Sequence, residues 1–184
     1  SEDTSIKDNL FELIMLRLDY MQSYKKALIA DSSFAEAHNN LGVTLNKIGQ
    51  LDESINSYEI AISINPNYAD AYNNLGVVLN KLGQLDDSVA SYQTALSINY
   101  DDADTHNNLG IVLAEMERLD DAMNSYYNAI KIDSDLAEAY NNLGHVLSNL
   151  NDYDKAISIY EKGSQLKPSL EYIFGNILSA KMNS

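Results

Sequence analysis

The sequence predicts an all-α solenoid of stacked helical hairpins, and three observations carry that reading. The segments AEAHNNLG, ADAYNNLG, ADTHNNLG and AEAYNNLG open at residues 35, 69, 103 and 137, a constant interval of 34. Within each period, apolar residues recur at three- and four-residue spacing in two runs, the pattern of two amphipathic helices. Short polar links (IGQLDE, LGQLDD, MERLDD and LNDYDK) separate the runs, as a helical hairpin requires. One hairpin cannot cover its own apolar faces, so neighbours must stack.

The elements follow in order. Residues 1–34 are expected to form a degenerate first repeat that caps the array. There SYKKALIADSS (23–33) keeps Tyr24 and Ala27 in phase with a second helix, while LFELIMLRLDYM (10–21) has lost the Leu-Gly pair and the polar turn. Full units are expected at 35–68, 69–102, 103–136 and 137–170. Counting each unit from its first alanine, helices are expected over positions 3–14 and about 18–30. Positions 7, 8, 11 and 24 are Leu, Gly, Leu and Tyr in all four copies. Small residues stand at position 20 (Ser54, Ser88, Ala122, Ala156) and position 27 (Ala61, Ala95, Ala129, Gly163), where two helices can approach closely. Residues 171–184 are expected to form a closing helix, with Leu170, Ile173, Phe174, Ile177 and Leu178 on one apolar stripe.

These phased residues resemble the tetratricopeptide repeat, whose 34-residue signature runs through an aromatic, Leu-Gly, a large residue, Ala, an aromatic, Ala and Pro. The resemblance covers residues 35–170. His38 and His106 replace the aromatic at position 4, and Tyr100 and Ser134 stand where Pro66 and Pro168 keep the proline. The family implies a right-handed superhelix whose first helices line the concave surface, and a role in binding protein segments.

Composition narrows the function. The formal charge is −15 over 184 residues. By 34-residue block it runs −2, −3, −4, −5 and −1, with a neutral tail. Such a surface repels phosphate backbones and anionic membranes, so neither nucleic acid nor membrane insertion is expected. Acidic pairs such as Asp86-Asp87 and Asp120-Asp121 fall where second helices begin, where carboxylates favour the positive end of the helix dipole. There is no cysteine, which excludes disulfides, thiolate metal sites and a cysteine nucleophile. No apolar run approaches the roughly 20 residues of a membrane span. The start SEDTSIKDN lacks a signal peptide and, without Met, fits a trimmed segment. A soluble, cytoplasmic protein is expected.

Laid on a wheel of about 100° per residue, positions 2, 5, 6, 9, 12 and 13 of each first helix face away from the packed side. Asn39, Asn73, Asn107 and Asn141 (position 5) then form one row, and Asn40, Asn74, Asn108 and Asn142 (position 6) another. Val43, Val77, Ile111 and His145 (position 9) lie between them, while Asn46, Lys47, Asn80 and Lys81 extend the face. A side-chain amide offers both acceptor and donors without charge, the complement of a peptide group. Two readings stay open for the asparagines: bracing between repeats, and contact with a bound polypeptide. Position 5 is assigned to the ligand because packing does not require Asn there. An Asn row at position 6 is also similar to the repeat region of O-linked N-acetylglucosamine transferases, which implies substrate peptide holding in a larger enzyme as an alternative. Family members that clamp chaperone tails use Lys and Arg on this face, and position 5 here is Asn throughout.

No catalytic residue, metal site or cofactor is expected. His38 and His106 sit at the packed position 4, and His145 has no Ser or carboxylate partner at helical spacing. The expectation is a non-catalytic adaptor or scaffold that holds an extended segment. Self-assembly through the dense apolar run of residues 10–18 is the remaining alternative.

Overall fold

A computed structural model describes residues 17, 31, 33–167 and 171–183. The expected cap over 1–34, including the apolar run at 10–18, therefore lies almost wholly outside the described residues. Those described form helices and turns without a strand. They comprise α1 (33–47), α2 (Leu51–Ile64), α3 (Ala69–Lys81), α4 (Leu85–Ile98), α5 (Ala103–Glu115), α6 (Leu119–Ile132), α7 (Ala137–Asn149), α8 (Tyr153–Leu166) and α9 (Glu171–Asn183). None is long and apolar enough to cross a membrane.

Each turn between paired helices closes the same way. At position 15 the backbone enters the left-handed region, with φ of 81° at Gly49, 74° at Gly83, 59° at Glu117 and 61° at Asn151. In the second unit the Gln84 N–H then reaches back to the Leu79 carbonyl (3.0 Å) and the Gly83 N–H to the Asn80 carbonyl (2.9 Å). These bonds satisfy carbonyls that the ended helix leaves without partners. The expected acidic pairs open the next helix, Asp86 and Asp87 in α4 and Asp120 and Asp121 in α6.

Inside the hairpin the two helices nearly touch. A Cβ added to Gly76 would stand 2.7 Å from Tyr92 Cε1, and one on Gly110 would stand 2.6 Å from Tyr126 Cε1. The tyrosine rings are fully buried, so glycine at position 8 is what admits them. Where position 20 is serine, its hydroxyl fills the adjacent gap: Ser54 and Ser88 donate to the carbonyls of Gly42 and Gly76 at 2.8 Å. Val112, Leu113, Tyr126, Leu143, Val146, Leu147 and Tyr160 belong to one continuous core along the array.

Successive hairpins stack with α3 against α5, α5 against α7 and α7 against α9, whereas α4 and α6 do not meet. The array therefore curves toward its first helices, which line the inner side. The last helix departs from the expected stripe. Ile173 and Ala180 are buried, but Leu178 is 63% exposed; Leu170 and the Phe174 side chain lie outside the described residues. Leu178 occupies the position that is glycine in the four units, and no described helix follows to cover it.

Candidate functional site

The two asparagine rows on the inner face are joined to each other. Asn74 Nδ2 donates to Asn39 Oδ1 (3.0 Å), Asn108 to Asn73 (3.2 Å) and Asn142 to Asn107 (3.0 Å). Each bond crosses from position 6 of one unit to position 5 of the unit before. The asparagines thus brace successive hairpins, and position 5, which the wheel assigned to a ligand, is the accepting end of the brace. Asn39, Asn107 and Asn141 are buried, Asn73 partly so. A single-helix wheel misses this because the next unit's first helix leans over position 5.

The ladder has a member that the sequence reasoning passed over. Asn176 in α9 donates to Asn141 Oδ1 (2.9 Å) and lies 3.1 Å from His145 Nε2. Its signal was available, since Asn176 follows Asn142 by the repeat interval of 34. Gly175 stands where the other units carry the accepting asparagine, so the ladder ends there.

Each link uses one side of each amide. Among the described residues, Nδ2 of Asn73, Asn107 and Asn141 and Oδ1 of Asn74, Asn108 and Asn142 make no hydrogen bond, and none of these atoms is buried. Val43, Val77 and Ile111 are half-buried on the floor beside them, and His145 is exposed. The floor therefore changes character in the fourth unit. His145 packs edge-on to Tyr160, centroids 5.9 Å apart, partial burial of the ring lowers its pKa, and its Nε2 faces the Asn176 amide N–H. Shallow cavities of about 280 and 250 Å³ lie on its two sides, between α5 and α7 and between α7 and α9.

The far side of the floor carries position 12 and 13 residues. Lys81 Nζ donates to Asn46 Oδ1 across the first seam (2.7 Å), while Lys47 is exposed. Among the described residues, Asn80 Oδ1 is buried there without a hydrogen-bond partner. At the opposite rim Glu36, Asp70, Asp104 and Glu138 stand at position 2. Burial and then the charges of Asp102, Asp133 and Glu138 push the Asp104 carboxyl above its usual range. Glu138 is instead held low, first by the hydrogen bond from Lys167, whose Nζ is 2.8 Å away.

His106 is placed as the sequence reading expects. It is buried at position 4, and its Nε2 is 3.0 Å from the Tyr100 carbonyl. No group of three or more His, Asp or Glu among the described residues could hold a metal ion.

Comparison with known proteins fits this architecture. Sequence models described as TPR repeat match residues 44–83, 78–117 and 112–151, and others described as tetratricopeptide repeat match 137–170 and 23–56. MamA superposes with a TM-score of 0.74 at 23% identity, covering 82% of this chain and 82% of MamA. YrrB, reported as a TPR protein with an unusual peptide-binding site, gives 0.69 at 22% identity over 87% of this chain and 84% of its own. PilF of Pseudomonas aeruginosa gives 0.77 at 22% identity over 82% and 69%. At these identities the likeness is one of fold. None of the curated proteins compared matches the chain.

Proposed function

The chain belongs to the tetratricopeptide repeat family, and on that footing we propose that its inner face holds an extended protein segment, making it a soluble, non-catalytic adaptor or scaffold. The half-used amide ladder carries the reading. A brace that needed only itself could satisfy its amides internally. This one leaves donors on position 5 and acceptors on position 6 open along successive units. A polypeptide backbone presents the matching acceptors and donors at every residue. The half-buried valines and isoleucine beneath supply apolar contact that does not depend on the guest's sequence. YrrB, which shares the fold, is reported to bind peptide.

Because the asparagines also brace the array, an alanine substitution would confound binding with stability. Asparagine to aspartate at position 5 separates the two: it keeps the oxygen that accepts from the next unit and removes the Nδ2 donors. Asn73→Asp with Asn107→Asp should keep the brace and the fold, lowering the melting temperature only modestly for the added charge, and weaken binding of peptides selected on the wild type by about tenfold or more. Neutral peptides are the probes, so that the added charge does not act on the guest. Unaltered affinity in that variant would confine the asparagines to bracing and remove the groove reading.

A further inference from the structure

Along position 13 the inner face reverses sign, from Lys47 and Lys81 to Glu115, with Asn149 following. Glu115 borders the cavity of about 280 Å³ between α5 and α7, together with Ile111, Ala114, Tyr126, Asn142 and Val146. Its side chain is exposed and makes no ion pair or hydrogen bond with any described residue. The carboxylate lies near two phenols, since it adds to the upward pKa shift that burial imposes on Tyr92 and Tyr126. Asn142 spends its Nδ2 on Asn107, so its Oδ1 remains an open acceptor on the same cavity wall.

We infer that this cavity is a subsite for a basic side chain, Lys or Arg, of the segment held in the groove, an inference that rests on the groove reading above. The long stem of either residue can lie on Ile111, Ala114 and Val146 while its cationic head meets Glu115 and Asn142 Oδ1. A carboxylate guest would meet Glu115 without any compensating cation at this seam. In the unit before Glu115 the equivalent position is Lys81, of opposite sign, so the guest's acidic residue belongs there. First helices of successive units are in contact, which spaces equivalent positions by about 8–10 Å. An extended or polyproline-like chain advances about 3.1–3.4 Å per residue, so the acidic and basic residues should stand about three apart.

The test is a positional-scanning library of short synthetic peptides, immobilised and probed with wild type, Glu115→Gln and Glu115→Lys, each checked by thermal melting. Glu115 is exposed, so both variants should fold. Wild type should prefer peptides carrying Lys or Arg about three residues from Asp or Glu, by about five- to tenfold over the neutral equivalent. Glu115→Gln should erase that preference, and Glu115→Lys should invert it toward an acidic residue at the same peptide position. Binding without a basic preference, or a preference that survives Glu115→Lys, overturns the subsite. In that case loss of binding in the Asn73→Asp, Asn107→Asp variant would leave the groove itself standing. Library peptides that fail to bind wild type at all would overturn both readings together.

Discussion

Within the second hairpin α3 and α4 meet through shape, whereas at the seam between the second and third units α3 and α5 meet, on the inner edge, through amides. In the hairpin the Tyr92 ring lies where a Cβ on Gly76 would need to be, and the Ser88 hydroxyl closes on the Gly76 carbonyl. Nothing there is left over. At the seam one bond, Asn108 to Asn73 at 3.2 Å, leaves both side chains with polar atoms open to solvent. The first interface specifies a fold. The second holds neighbouring hairpins together and leaves polar groups open, and the proposed groove assigns those open groups to a guest.

The hairpin is where substitution should hurt most. Gly76→Ala puts a methyl 2.7 Å from a ring atom of a tyrosine that is 2% exposed, so the ring cannot swing away. Alanine is the better helix former by about 0.8–1.0 kcal/mol. Overpacking outweighs this, and a net loss of about 1–3 kcal/mol is expected in chemical denaturation. Tyr92→Leu removes the ring, and in the double variant the two losses should fall well short of additive. Additive losses would mean that the glycine is not there to admit the tyrosine.

At the seam the expected effect is smaller. Asn142→Ala deletes the donor to Asn107 Oδ1 and leaves that acceptor without its partner, which costs about 0.5–1.5 kcal/mol. Asn107→Asp, which keeps the acceptor, should cost clearly less. Equal losses for the two variants would show that the seam is held by something other than this bond.

The two regions were also unequally legible. Shape repeats as residue identity, so Leu-Gly at positions 7 and 8, the small residue at 20 and Tyr at 24 announce the hairpin from the sequence. The phase of the asparagines was equally plain, but their partners were not. A helical wheel treats one helix alone, whereas Asn73 is met by Asn108 from the next unit. Asn176 escaped for a related reason: with Gly175 beside it and Leu178 in the glycine position, the segment no longer reads as a repeat, although α9 occupies a first helix's place. Leu178 was drawn onto the core stripe by spacing alone, yet the face it occupies is packed only when a second helix follows.

The turn belongs to the hairpin and should move stability without touching the seam. Glu117 holds a φ of 59° where two other units use glycine, and a side chain in that region is strained. Glu117→Gly should stabilise by about 0.5–1 kcal/mol and leave peptide affinity as it was. Asn151→Gly should gain less, because asparagine tolerates the left-handed region better. A change in peptide affinity for Glu117→Gly would mean that hairpin and seam are not independent.

The finest contrast is in pH. His106 in the hairpin and His145 on the seam both have lowered pKa values, chiefly through burial. In each case the unfolded chain takes up a proton, near its ordinary value of about 6.5, that the folded state resists. Their contribution is therefore complete above that value and is lost as pH falls through it toward the folded pKa. His106→Tyr supplies the residue that units two and four carry at position 4, Tyr72 and Tyr140. His145→Val supplies the residue that units one and two carry at position 9, Val43 and Val77. Melting temperatures taken at about pH 7.5 and about pH 5.5 should drop for wild type and drop less for either variant. Only His145→Val should also remove pH dependence from peptide binding, since only that imidazole borders the groove and faces the ladder's last amide. If His106→Tyr alters the pH dependence of binding, the buried hairpin and the open seam are coupled, and a guest's grip would be set from inside the fold.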